Sequence, residues 1–566
     1  MSLTARFCPR TEFHSYEDFF QNFKIETPTD FNFAYDVVDV YAAKEPERRA
    51  LVWCDDHDHE EIYDFARMRA ASCQAARFFH SLGIRKGDAV MLLSKGHHQF
   101  WPCLVALHRL GALAVPASHM LKKKDLLYRF NVTAAKMVIC ADETSLLNEV
   151  DAAAREYPGL VRVILGSRRS GWYAFDEEIG KWPADFPRPQ GTDATHNDDP
   201  MLGYFSSGTT GEPKMVVHNF TYPLGHIITA QYWQNVVDGG LHYTVADTAW
   251  AKCAWGKIYG QWIAGSAVFV HDYDTFNAPE ILAKAIKYQV TTFCAPPTVY
   301  RFLIREDLSR FDLSCIKYAV TAGEALNPEV YRQFLDHTGL PIREGFGQTE
   351  SVVIIATLPW MEPKTGSVGK PMPGMGLNLL GLETGRPVET GDEGEISLYT
   401  DGPRRPYGLF TGYYKDEENT KQCWHDGWYH THDMAWRDED GYLWFVGRAD
   451  DVIKTSGYRV GPFEVESALM EHPSVLECAV TGAPDPLRGM VVKATIVLNK
   501  GFVPSEELKK ELQEHVKRTT APHKYPRLVE FVAELPKTIS GKIRRAEIRR
   551  QQREQDLARR QREARG

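Results

Sequence analysis

The chain has 566 residues, of which 43% are hydrophobic and 25% charged, a composition that excludes disordered, collagen-like and membrane-embedded classes and fits two to four globular units. Formal net charge is −9; the stretch from Lys542 to Gly566 carries +6, leaving −15 for the remainder, which argues against a nucleic-acid protein. No apolar run approaches the ~18 residues of a membrane span, the N-terminus lacks a secretory pattern, and ten scattered cysteines without a Cys-x-x-Cys pair read as small buried hydrophobes in a reducing cytoplasm.

In chain order, the apolar ALVW and EEIYDF between Ala50 and Phe65 read as two strands around the polar CDDHDHE. That Asp/His cluster reads as a solvated hairpin tip in preference to a metal site, because adjacent loop residues rarely converge on one ion. Phe65, Met68, Ala75, Phe79 and Leu82 recur at helical spacing, Gly83 stops them, and IRKGDAVMLLS follows as a buried strand. Trp101 to Leu110 reads as a helix, and Leu113 to Pro116 and Ala135 to Cys140 read as strands. EILAKAIKYQ before VTTFCAPP, and PEVYRQFLDHTG before LPIREGFGQ, repeat the helix-then-strand order. The alternation predicts an α/β fold of doubly wound parallel sheets, with ligands at the carboxyl ends of the strands. From about Gly369, glycines and short strand-like pieces (GEISLYT, GYLWFVG) predict a small barrel or antiparallel layer.

The polar GRADDVIKTSG marks a boundary near Asp450. Residues 1–449 then form a large N-terminal unit, and residues 450–566 a small α+β unit ending in an Arg-rich tail. The tail reads as a solvated helix, with an RNA or anionic-surface contact as the alternative.

The segment FSSGTTGEPKMVVHN carries Ser206, Ser207, Gly208, Thr209, Thr210, Gly211 and Lys214. Glycines let backbone N–H groups approach phosphate, hydroxyls add donors and the lysine adds charge. The spacing differs from the G-x-x-x-x-G-K-[ST] loop of common nucleotide hydrolases. The full string resembles the signature loop of the adenylate-forming superfamily, which includes acyl-CoA synthetases, peptide-synthetase adenylation domains and luciferases. Further motifs follow in the family's order: Ala322-Gly323-Glu324, GFGQTE from Gly345, YHTHD from Tyr429, GRADDVIKTSGYRVGPFEVE from Gly447 and PKTISGKIRR from Pro536. Within the superfamily the chain is most similar to the medium-chain acyl-CoA synthetase branch, through DTAWAKCAWGK, FCAPPTVYRFL and LPWMEPKTGSVGKP as well.

The resemblance implies a reaction in which a carboxylate and MgATP give acyl-AMP and pyrophosphate, and a thiol then attacks the mixed anhydride. Lys542 is expected to bridge the carboxylate and the α-phosphate, Glu350 to bind Mg2+ and Thr349 to donate to the α-phosphate. Gly323, Glu324 and Gln348 fall on nucleotide-binding motifs, Asp433 and Arg448 on the ribose site, and Arg459 on a phosphate contact, with a surface ion pair as its alternative. Asp450 marks the hinge of a mobile small domain, and Ser456, Gly457 and Tyr458 the segment that enters beside the thiol tunnel. His432 departs from the glycine that most relatives carry between Thr and Asp. The resulting His430-x-His432-Asp433 spacing mimics metal ligands on a strand, although Asp433 already has a nucleotide role.

The resemblance places Trp233, Lys252 and Trp255 in the acyl pocket; ordinary core packing is the alternative for the indoles. Gly347 stands where acetate-specific relatives carry a bulky aromatic, so room for a medium-length or branched tail is expected. ATP and free coenzyme A are the expected co-substrates, with no partner domain implied after Gly566. The alternatives are an enzyme that loads a separate carrier protein and a non-catalytic nucleotide-binding protein whose basic tail holds RNA or a partner.

Overall fold

The helix-then-strand units are punctuated by residues suited to caps. Asp64 begins the helix Phe65–Ser81 by accepting from the Arg67 backbone N–H, and Gly83, at φ +91°, turns the chain out of it. Asn327 and Pro328 likewise start Pro328–Thr338, and Gly339, at φ +69°, leads into the strand Ile342–Phe346. The computed structural model describes residues 2–206, 212–402, 405–455, 458–485, 488–537 and 543–563, with side chains through residue 554.

Two sheets build the large unit. The eight-stranded one runs Gly412–Tyr413, Lys214–Asn219, Pro200–Ser206, Leu113–Pro116, Ala89–Leu93, Met137–Ala141, Val161–Leu165 and Tyr173–Ala174. It is parallel from Pro200–Ser206 onward. Ala89–Leu93 and Met137–Ala141 are buried at every residue, as strands covered on both faces must be.

The fourteen-stranded sheet has a parallel run of Ile342–Phe346, Tyr318–Ala322, Thr292–Cys294, Leu241–Thr244, Ala267–Asp272 and Arg49–Asp55. The hairpin strand Glu60–Asp64 closes one edge. On the other side, Ile355–Ala356 and Ser367–Pro371 continue antiparallel into Leu443–Arg448, Trp428–Arg437, Glu393–Tyr399 and Leu377–Leu380. The glycine-rich region after Gly369 therefore forms an antiparallel layer that extends the large sheet. The small barrel expected there is corrected: among the described residues the hydrogen-bonded path stays open, ending at Leu377–Leu380.

After Leu443–Arg448 the chain enters the small unit, where Val475–Asp485, Gly489–Leu498 and Leu528–Phe531 form a three-stranded sheet. Pro462–Met470 and Glu506–Thr519 pack on it through Val465, Leu469, Leu512 and Val516. The basic tail begins as the helix Arg545–Glu563, fastened by Ile548, which is buried, and by Arg545, which donates to both oxygens of the buried Glu466. Nine of the ten cysteines are buried and all are free. No helix among the described residues is long and apolar enough to cross a membrane.

Candidate active site

The segment Gly345 to Glu350 leaves the carboxyl end of Ile342–Phe346 and meets a different partner at nearly every residue. Gly345 is pressed against the wholly buried Trp233: a Cβ here would lie 2.6 Å from the indole Cζ2. Gly347 is covered by Trp255 in the same way, its Cβ position lying 2.5 Å from Cη2. The two indoles meet edge to face at 6.1 Å. The room expected at Gly347 is thus taken up by Trp255. Lys252 donates from Nζ to the Ala322 carbonyl, beside Gly323, which turns at φ +99°.

Gln348 opens the polar half. Its amide donates to the Asp433 carboxylate at 2.5 Å and to the Thr431 carbonyl at 2.8 Å, while Tyr429 donates to its Oε1 at 2.6 Å. Arg448 reaches Thr431 O at 3.2 Å and lies 3.7 Å from Asp433 and 3.6 Å from Asp450. Burial works against the guanidinium charge, but Asp433 and Asp450 outweigh it and hold its proton more tightly than usual. The Thr349 carbonyl accepts from His218 Nε2 at 2.8 Å, and burial pushes that imidazole down to about 3, so it serves as a neutral donor. Glu350 accepts from Tyr413 at 2.8 Å, and Lys214 sits 5.2 Å over the Tyr413 ring. Ser206 ends its strand opposite Lys214, donating to the Lys214 carbonyl at 3.3 Å.

Glu324 accepts from Thr298 at 2.9 Å and lies 3.7 Å from Arg301. Arg459 pairs instead with Glu383 at 2.9 Å, and Tyr458, 54% exposed, stacks on His523. Ser207, Gly208, Thr209, Thr210, Gly211, Ser456, Gly457 and Lys542 lie outside the described residues. Among the described residues, no three His, Cys, Asp or Glu side chains gather as a metal set.

The AMP-binding enzyme family model matches residues 38–414, and the AMP-binding enzyme C-terminal domain model matches residues 464–542. The chain belongs to the AMP-binding enzyme family. It is 41% identical to the mouse (Mus musculus) "Acyl-coenzyme A synthetase ACSM3, mitochondrial", with 95% of this chain and 94% of the relative covered. A human (Homo sapiens) relative, "Acyl-coenzyme A synthetase ACSM5, mitochondrial", is 40% identical, with 93% and 91% covered. Among solved structures, the anthranilate CoA ligase AuaEII in complex with anthranoyl-AMP superimposes with a TM-score of 0.84 at 29% identity, covering 92% of this chain and 97% of that one. An acyl-CoA synthetase from Brucella canis gives 0.72 at 29% identity, covering 96% and 100%.

Four residues of this AMP-binding enzyme enter the site without having been singled out in the sequence: His218, Tyr413, Tyr429 and Glu344. His218 lies in the glycine-rich string and Tyr429 opens YHTHD, so both had a motif as signal; Tyr413 is 63 residues from Glu350 and had none. Glu344 accepts the Leu326 N–H at 3.2 Å and so anchors the turn that follows Gly323 and Glu324. Burial pushes the Glu344 carboxyl up to about 8, offset only in part by that N–H. Between pH 4.5 and 8 the unfolded chain has released this proton and the folded one has not, so wild-type stability falls as pH rises. Glu344→Gln keeps the acceptor and removes the penalty. Denaturant melts should find the variant more stable by on the order of a few kcal/mol at pH 8 and nearly equal to wild type at pH 5; a pH-independent difference would refute this account.

Proposed function

We propose that this AMP-binding enzyme is an ATP-dependent, AMP-forming acyl-CoA synthetase acting on a medium-chain or branched short-chain carboxylic acid. One observation carries the reading: six consecutive residues, Gly345 to Glu350, join an apolar floor of Trp233 and Trp255 to the polar group of Gln348, Asp433 and Arg448. An acid with its tail on the indoles has its carboxylate beside the nucleotide. That oxygen attacks the α-phosphorus, pyrophosphate leaves, and acyl-AMP remains; the coenzyme A thiol then attacks the acyl carbon and AMP leaves.

The named residues supply what each step needs. Asp433 accepts from the ribose hydroxyls, and Gln348 and Arg448 hold its carboxylate in place. Gly323 and Glu324 border the base, while Ser206, the glycine-rich loop and Lys214 gather the phosphates. Thr349 donates to the α-phosphate and Lys542 places a point charge between it and the incoming carboxylate. Glu350 suits Mg2+: Tyr413 engages Oε1, no described residue hydrogen-bonds Oε2, a hard oxygen donor, and a single carboxylate with substrate phosphates is a common Mg2+ set. The ion would offset phosphate charge as pyrophosphate departs. For the thioester step, the small domain turns about Asp450 and brings Ser456, Gly457 and Tyr458 to the acyl-AMP, with Arg459 exchanging Glu383 for a phosphate of coenzyme A.

The buried thiols support a reducing interior compartment, which we take to be the cytoplasm; the mouse relative's name carries the word mitochondrial, and fractionation of tagged protein separates the two. The activity is tested by ATP–pyrophosphate exchange across acids from acetate to decanoate, branched and aromatic ones included, with and without coenzyme A. Exchange should peak at intermediate or branched acids, with acetate poor and acyl-CoA formed only when coenzyme A is present. No exchange with any acid while AMP still binds would refute the synthetase reading.

A further inference from the structure

The strand that carries Asp433 is irregular at this residue. Glu395 pairs with Met434, but Ser397 pairs with His430, so the Trp428–Arg437 strand holds two more residues than its neighbour across this stretch. The extra length forms a bulge over Thr431 to Asp433, with His432 at φ +60°. This is the left-handed region, costly for a residue with a Cβ and free for glycine.

A bulge also strips backbone groups of their ladder partners. Here the buried Glu395 side chain replaces them. Its Oε1 accepts from the His432 backbone N–H at 2.8 Å and pairs with His432 Nδ1 at 3.2 Å, while Oε2 pairs with His430 Nδ1 at 2.9 Å. Burial tends to raise the Glu395 carboxyl, but the bonds from His430 and His432 prevail and hold it down at about 2, so the carboxylate is charged. The rest of the bulge points at the nucleotide side. Thr431 accepts the Asp433 N–H at 3.1 Å on its hydroxyl, its carbonyl takes Gln348 and Arg448, and the His432 carbonyl accepts from Ala449 N at 2.9 Å.

We propose that Glu395 and His432 are positioning residues for the nucleotide: the carboxylate clamps both the backbone and the imidazole of His432, and this clamp keeps a left-handed bulge, and hence the Asp433 carboxylate, aimed at the ribose. The inference rests on the nucleotide reading of Asp433. The imidazole offsets the cost of a side chain at a position where glycine adopts the same turn unaided. A side chain without the clamp should therefore loosen the site, and glycine should restore it.

The test uses the full chain and AMP, which binds without any acid, followed by KM for ATP and for the acid. His432→Ala keeps the backbone cost and loses the clamp, and should weaken AMP about tenfold, equivalent to about 1.4 kcal/mol. KM for ATP should rise in step, with KM for the acid unchanged. Glu395→Gln should weaken AMP in the same direction, and His432→Gly should bind within about twofold of wild type, a rescue that a loss of packing does not produce. Wild-type affinity in His432→Ala, or equal weakening in His432→Ala and His432→Gly, overturns the proposal. A wild type that binds AMP but exchanges with no acid overturns the synthetase reading alone, because the comparison of variants on AMP still stands; a wild type that fails to bind AMP overturns both.

Discussion

Replacing Lys542 with alanine should lower acid-dependent ATP–pyrophosphate exchange by about 10²–10³-fold, the usual loss when one preorganised charge is removed from a transition state. A carboxylate attacking an α-phosphate brings like charges together; of the described cations, Lys214 sits over the Tyr413 ring, where it faces the leaving phosphates on the proposed reading, and Arg448 faces Asp433. Neither replaces a flexible ammonium between the two reacting groups. Lys537 and Ile543, which flank Lys542 in the sequence, pair with each other as an antiparallel bridge. The loss should be confined to one half-reaction. Transfer from added acyl-AMP to coenzyme A should stay within about twofold, since no new charge on phosphorus has to be met there. Undiminished exchange, or equal loss in both half-reactions, would show that Lys542 does not act on the adenylation step.

The second large effect concerns the pocket floor. Gly347→Ala places a methyl 2.5 Å from the Trp255 ring and against the Val352 carbonyl, and the carbonyl, being backbone, cannot turn aside. Overpacking of this kind costs about 1–3 kcal/mol, which a melt in denaturant measures. On the proposed reading the same ring is the floor under the acyl tail, so KM for the acid should rise about tenfold or more while KM for ATP holds, given the ~1.4 kcal/mol per decade. Trp255→Ala is the complementary change: with the indole gone, the optimum should shift toward longer acids, each added methylene gaining about 0.8 kcal/mol of burial. An acid profile unmoved by either substitution would place the tail elsewhere.

The alternation of helix and strand was legible because each unit carries its own punctuation, as Asp64 and Gly83 do for one helix and Asn327, Pro328 and Gly339 for another. The polar half of the site was legible for a different reason: Gln348, Glu350, Asp433 and Arg448 belong to contiguous motifs. Contacts between distant segments were not. Tyr413 reaches Glu350 across a fold that no local pattern announces. Gly347 read as empty space because a missing side chain says nothing of which neighbour fills it, and Trp255 does. The antiparallel layer read equally as a barrel, since strand periodicity is the same in both and only the pairing partners differ. The Thr431 to Asp433 bulge escaped because two additional residues in a strand leave its alternation looking merely imperfect.

The fourteen-stranded sheet runs unbroken from the Arg49–Asp55 hairpin, through the strand under the tryptophans, to the strand that bears Asp433. The floor of Trp233 and Trp255 and the Asp433 carboxylate are therefore not two modules that loosen separately. Their amide protons should exchange with solvent at similar slow rates, as members of one cooperative block, while the turn after Arg448 exchanges early. Heat that loosens either group should loosen the other at the same temperature.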